Sequence, residues 1–121
     1  MLCILQGAHI ARLAVIAFTL SWTHSVEKIR WEEDWRIDPR GLVLVEARTR
    51  GSGAGMEPPP DARLEGGWWK YSPGLPPVPE VLLAASGATG SGWEICGAGS
   101  CITIGEQQGD PIRLAACKSD R

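Results

Sequence analysis

The chain has 121 residues, a formal net charge of −2 and 44% hydrophobic residues. This length fits one domain with a modest core, and interleaved acids and bases exclude the basic stripe that nucleic-acid binding requires. The longest uncharged apolar run, residues 13–20, is far shorter than the roughly 20 residues of a membrane-spanning helix. We therefore predict no nucleic-acid partner and no membrane-spanning segment.

The first half of the chain predicts a run of short strands. An opening hairpin has strands over 2–6 and 9–15, and two further strands follow over 17–26 and 29–37. A Pro-Gly turn at 38–41 leads to a nearly continuous apolar strand, 42–49, which we expect to lie centrally with both faces covered. Residues 51–65 are rich in Gly and Pro and predict a long loop.

The second half of the chain continues this pattern. An aromatic strand over 66–72 precedes a Pro-rich connector, 72–80, which predicts an extended conformation. The remaining strands are expected over 80–86, 92–96, 101–105 and 111–117. Six Trp, 15 Gly and 9 Pro favour strands and tight turns over helices. The fold prediction is all-β: residues 1–121 form a single antiparallel β-sandwich or flattened barrel of about nine or ten short strands.

Two neighbouring strands each carry one ionisable side chain on an apolar face. On the first strand, Trp22 and His24 share a face; on the second, Glu33 lies between two tryptophans. If the chain reverses at residues 28–29, His24 lies opposite Glu33 and Trp22 lies opposite Trp35. Both ionisable groups are costly to bury unless something satisfies them. This pair of strands is therefore the first place to look for function.

The predicted His24–Glu33 pair has two interpretations. It is either a structural ion pair near a sheet end or a small pocket, floored by tryptophans, in which Glu33 orients His24 towards a ligand or water. An earlier reversal would instead set Glu33 against Trp22 and leave both ionisable groups unpaired. Ser25 follows His24 directly and should point to the opposite face, which argues against a Ser–His nucleophile pair.

The four cysteines suggest two disulfides. Cys96 and Cys101 flank a four-residue loop, which suits a cross-strand bridge, and a bond between Cys3 and Cys117 would tie the terminal strands together. The alternative is four reduced thiols. Zinc is disfavoured, because C-x4-C is wider than the usual knuckle, and we predict no metal site. Disulfides would imply an extracytoplasmic location, whereas the poor fit of residues 1–20 to a signal peptide would imply a cytoplasmic one.

Two further motifs carry weaker signals for a ligand. The glycine-rich part of the loop over 51–65 precedes three prolines rather than a helix, so it does not match a phosphate-binding loop. Trp68 and Trp69 could offer a stacking platform to a carbohydrate. Because neighbouring side chains on a strand face opposite ways, only one of these two would contribute.

The run FTLSWTHSVEKIRWEEDW (18–35), followed by GSGAGMEPPPDA (51–62) and an aromatic strand, resembles an uncharacterised bacterial family, domain of unknown function 1850. Its genes commonly sit beside TAXI-type TRAP transporter subunits, and many relatives carry an N-terminal hydrophobic anchor. The family pattern joins a strand ending in His-Ser-Val to a carboxylate nine residues after the His and a downstream Gly-x-Gly-Met. The matching positions are His24, Ser25, Val26, Glu33, Gly53, Gly55 and Met56. The resemblance implies an accessory role near a solute uptake system.

Two function hypotheses follow. The first is a non-enzymatic accessory or binding domain, without a cofactor, that contacts TRAP transporter subunits or a small solute. The alternative is a small hydrolase-like enzyme in which His24 is the base and Glu33 orients it. The tentative ligand-binding residues are Trp22, His24, Ser25, Trp31, Glu33, Trp35, Gly53, Gly55 and Met56.

Overall fold

A computed structural model describes residues 1–23, 29–50, 60–86 and 92–117. Within these ranges the chain forms eleven strands, each paired antiparallel to its neighbours, and the all-β prediction is confirmed. The strands are β1 (Leu2–Gln6), β2 (His9–Leu13), β3 (Ala17–Thr23), β4 (Arg30–Asp38), β5 (Gly41–Arg50), β6 (Arg63–Glu65), β7 (Trp68–Tyr71), β8 (Val81–Leu83), β9 (Trp93–Gly97), β10 (Ser100–Ile104) and β11 (Ile112–Ala116).

The strands form two sheets. A four-stranded sheet has the order β2-β1-β11-β8, and a seven-stranded sheet has the order β10-β9-β3-β4-β5-β7-β6. Each sheet ends in strands with only one neighbour, so the described chain is a sandwich-like arrangement and not a closed barrel. This decides between the two architectures that the strand pattern left open.

The core lies between the two sheets and is built by alternation along the strands. Side chains two residues apart point to the same face of a sheet, so each strand contributes every second residue. The largest side chains with almost no exposed surface are Leu2, Leu20, Leu42, Ile95, Ile112 and Leu114. Because they come from both sheets, burial of these side chains holds the two layers together.

The seven-stranded sheet has one covered face and one open face. We call the face that contacts the core the inner face and the opposite one the outer face. The expectation that the strand over 42–49 is covered on both sides is wrong: β5 lies between β4 and β7, but Val45 is 44% exposed. A register shift between Asp34 and Trp35 where β4 pairs with β5 marks a bulge, and Val45 is left out of the ladder there.

Two segments predicted to lack strand structure contribute to the sheets. The short strand β6, Arg63–Glu65, lies inside the predicted loop 51–65 and pairs with β7. In the Pro-rich connector, Val78 exchanges two backbone hydrogen bonds with Leu42, of 2.7 and 2.9 Å. Gly41 has a φ of 138°, and a Cβ there would collide with the Val78 carbonyl group. Glycine at this position therefore allows the connector to approach the sheet.

The structure contains two disulfides, which join the same cysteines that the sequence suggested. Cys3 and Cys117 are bonded with their Cα atoms 5.0 Å apart, beside the paired strands β1 and β11. Cys96 and Cys101 are bonded directly across the β9–β10 hairpin, with Cα atoms 4.0 Å apart. One bond closes the ends of the chain and the other closes a single hairpin.

The described residues contain no helix of the length and apolar character needed to cross a membrane.

Candidate ligand-binding site

The pairing of β3 with β4 differs from the predicted register. Trp22 lies opposite Trp31, not Trp35, and Leu20 lies opposite Glu33. Neither of the two partners considered for Glu33 from the sequence, His24 or Trp22, lies opposite it. The observed register sets Phe18 opposite Trp35, so that aromatic side chains meet across the strands.

The outer face of the same strands supports this register with polar contacts. The Thr19 hydroxyl group donates a hydrogen bond of 2.8 Å to the Asp34 carboxylate, and these residues are directly paired. Arg30 donates to the Ser21 hydroxyl group at 2.8 Å and to the Glu94 carboxylate at 2.9 Å. Ser21 is 2% exposed, and a buried hydroxyl group needs such partners.

Glu33 is the only charged side chain on the inner face within the described part of the seven-stranded sheet. It lies between Leu20 of β3 and Ala47 of β5, and Tyr71 of β7 is the next residue along that row. The adjacent row runs from Trp22 through Trp31 and Thr49 to Trp69. We call the four aromatic residues Trp22, Trp31, Trp69 and Tyr71 the aromatic face.

The environment of Glu33 disfavours its charged form. Partial burial raises the pKa of the Glu33 carboxyl group, although a hydrogen bond from the Trp35 indole group, 3.1 Å long, acts in the opposite direction. Burial also raises the pKa of the Tyr71 hydroxyl group, and the negative charge of Glu33 adds to that effect. These two side chains share one row of the inner face, with Ala47 between them.

The tryptophans beside Glu33 pack against one another. The rings of Trp22 and Trp31 are stacked, with centroids 5.8 Å apart and planes 10° apart, and Trp93 packs against Trp22 at 4.9 Å. All four residues of the aromatic face are half-buried. The indole N–H of Trp31 is buried and has no hydrogen-bond acceptor in the described chain. This donor is an energetic cost that the surrounding packing has to offset.

The outer face of the sheet carries a network of paired charges. Arg48 donates to Glu32 at 2.8 Å, to Asp34 at 2.8 Å and to Glu46 at 3.0 Å. Hydrogen bonds to Asp34 and, to a lesser extent, Glu32 raise the pKa of Arg48. Burial alone would raise the pKa of Asp34, but hydrogen bonds from Arg48 and Thr19 lower it. These carboxylates are satisfied within the chain, which distinguishes them from Glu33.

The remaining predicted site residues are placed as follows. Trp22, Trp31, Glu33 and Trp35 lie together on the inner face, as their alternation in the sequence predicted. The other five tentative residues lie outside the described residues: His24, Ser25, Gly53, Gly55 and Met56. The predicted contact between His24 and Glu33 therefore also lies outside the described residues.

Two members of the aromatic face were not predicted to lie with Glu33: Tyr71 was not among the tentative residues, and Trp69 was named only as part of a possible stacking platform with Trp68. The signal that could have found them is the alternation in β7, which places these two residues on the face opposite to Trp68. Trp68 lies on the outer face, where the Arg50 guanidinium group sits 5.5 Å from the ring centre. Trp68 and Trp69 therefore do not form a joint stacking platform.

The outer face carries two other features. An open groove of about 540 Å³ has a mixed lining of apolar and polar residues that includes Phe18, Val45 and Arg36, and among the described tentative site residues only Trp35 lines it. The ligand atoms of Glu94, Cys96 and Cys101 lie within 4.8 Å of one another. Because both cysteines are joined in a disulfide, they offer no thiolate to a metal ion.

Comparison with known proteins identifies the family of the chain. Neither the curated proteins nor the solved structures contain a significant match. A family model described as a domain of unknown function (DUF1850) matches residues 18–104, well over half of the chain. The matched range includes all four residues of the aromatic face, together with Glu33. The chain therefore belongs to the DUF1850 family.

Proposed function

We propose that this protein is a non-enzymatic binding domain that holds a small solute against the aromatic face and Glu33. The observation that carries this proposal is a half-buried carboxylate among aromatic rings, with no cationic side chain beside it on the described inner face. Ligand sites in proteins combine apolar and aromatic surface with a few placed polar groups. The inner face beside Glu33 has this composition, whereas the outer face pairs its charges internally.

We further propose that the domain acts as an accessory to a TRAP-type solute transporter. Support comes from the resemblance to a family whose genes sit beside such transporters, together with family membership over residues 18–104. The two disulfides favour an oxidising compartment, which is where solute is captured before uptake. The protein would then present or retain solute near the transporter.

The hydrolase alternative has less support. It requires His24 to meet Glu33, and the described register places Leu20 opposite that carboxylate. An isolated carboxyl group with a raised pKa can act as an acid or base, but the direct cross-strand partners of Glu33 are Leu20 and Ala47, neither of which offers a nucleophile. We therefore favour binding over catalysis.

The test is co-purification. The tagged protein is co-expressed with the solute-binding and membrane subunits of a TAXI-type TRAP transporter, and retained subunits and small molecules are identified by mass spectrometry. We expect a subunit or a solute to be retained, and Glu33→Gln to reduce retention. Glu94→Gln, which makes the same change on the outer face, is the matched control. Retention of neither a subunit nor a solute would refute the proposal, and hydrolytic turnover lost in Glu33→Gln would favour the alternative.

A further inference from the structure

We propose that the solute bound at the aromatic face carries a substituted ammonium group, and that Glu33 supplies its counter-charge. This inference rests on the proposed binding function and names the chemical class of the ligand. It depends on the distribution of charge between the two faces of the seven-stranded sheet and on the identity of the side chains around Glu33.

The two faces of the seven-stranded sheet differ in how their carboxylates are paired. On the outer face, Glu32, Asp34 and Glu46 all accept hydrogen bonds from one guanidinium group, and Glu94 accepts one from Arg30. On the described inner face, Glu33 accepts only the neutral indole N–H of Trp35. A half-buried carboxylate without a cation bears a desolvation cost that a cationic partner would offset. Among the described residues Glu33 has no cationic partner, so its charge is complementary to a cation and repels an anionic ligand.

Aromatic side chains surround Glu33 on the inner face. Trp31 precedes Glu33 by two residues on the same face, Trp22 is stacked on Trp31, and Tyr71 lies beyond Ala47 in the row of Glu33. The faces of aromatic rings are negative, and they attract ammonium groups within about 6 Å. Substituted ammonium groups are weakly hydrated and apolar at their surface, so they fit aromatic walls better than a metal ion does.

The accessible part of this face is formed by Glu33 and the rings around it. Ala47 lies between Glu33 and Tyr71 in one row, and Thr49 lies between Trp31 and Trp69 in the next. These two small residues are buried, whereas Glu33 and the four residues of the aromatic face are half-buried. A compact ammonium group on this face would therefore meet the carboxylate and the aromatic residues rather than the small side chains between them.

The experiment uses choline as the cation and its uncharged carbon isostere, in which a tert-butyl group replaces the trimethylammonium group. Binding to the intact, oxidised protein is measured by calorimetry and by the NMR signals of the six indole N–H groups. We expect choline to shift the signals of Trp22, Trp31 and Trp69. We expect the isostere to bind at least about tenfold more weakly.

Variants test the role of Glu33. Glu33→Gln keeps the size of the side chain and an acceptor for Trp35, and it should weaken choline binding by about tenfold. Glu94→Gln, on the outer face, should leave it unchanged. The comparison of the two ligands on the unaltered protein stands even if Glu33→Gln perturbs the fold. Equal binding of choline and its isostere, or an unchanged affinity in Glu33→Gln, would overturn the proposal.

Two further outcomes separate the possible ligands. Free choline should bind, and the protein should not sediment with phosphatidylcholine vesicles. If the protein bound the vesicles but not free choline, the ligand would be a lipid headgroup and our assignment would be overturned. If a transporter subunit or a solute without an ammonium group is retained and Glu33→Gln abolishes this, the ammonium assignment fails while the binding function stands. If nothing is retained and choline does not bind, both fail.

Discussion

The two disulfides should contribute unequally to stability, because they close loops of very different length. Cys3 and Cys117 are separated by 114 residues in sequence and Cys96 and Cys101 by 5. In the chain-entropy description, these loops correspond to about 5 and about 2 kcal/mol of stabilisation through restriction of the unfolded chain. Replacing the first pair by serine should therefore cost about 3 kcal/mol more than replacing the second pair.

The assay is equilibrium unfolding in urea, followed by tryptophan fluorescence and far-ultraviolet circular dichroism. The variants Cys3→Ser with Cys117→Ser and Cys96→Ser with Cys101→Ser are compared with the oxidised parent. Removal of the long bridge should also raise the m value, because the unfolded chain then exposes more surface. Equal losses, or a larger loss from the hairpin bridge, would refute the loop-length reasoning and point to local packing around Cys96 and Cys101.

Three further changes test the charge and packing arguments. Burial raises the pKa of Glu33, so folded-state stability falls as pH rises through that pKa. Glu33→Gln should therefore be at least as stable as the parent at neutral pH. If the variant remained more stable than the parent below pH 4.5, this reasoning would be contradicted. Arg48→Met should cost about 2–3 kcal/mol at neutral pH. The loss should be smaller in acid, because protonation of Asp34, whose pKa is lowered in the folded state, removes a stabilisation that is present only at higher pH. An equal loss in acid, measured by urea unfolding, would mean that packing dominates. Leu114→Ala should cost about 2–5 kcal/mol because the side chain is fully buried, whereas Leu82→Ala, at a site that is 63% exposed, should change thermal stability little.

Much of the fold could be predicted from the spacing of side chains. Alternation along the strands predicted the all-β class and the shared face of Trp22, Trp31, Glu33 and Trp35, because the two-residue repeat of a strand is local. The short spacing between Cys96 and Cys101 pointed to a cross-strand pair for the same reason. The strand β6 was missed because three residues, Arg63–Glu65, are too few to show a repeat and are stabilised by pairing with β7.

The register of β3 and β4 could not be predicted in this way. The predicted register paired the two ionisable groups. The observed register instead brings aromatic rings together on one face and allows the Thr19–Asp34 and Arg30–Ser21 hydrogen bonds on the other. The partner of Trp22 differs from the predicted one by four residues. A shift by an even number of residues leaves every side chain on its predicted face. Local periodicity therefore cannot distinguish the predicted register from the observed one.

The sequence by itself thus determined which side chains share a face, since that depends only on the geometry of an extended chain. Tertiary structure alone decided what stands opposite each of them: Leu20 rather than His24 across from Glu33, and Tyr71 of β7 in the same row. These contacts join residues far apart in the chain, and their formation depends on the packing of both faces of the sheet together. The candidate site is a product of that packing.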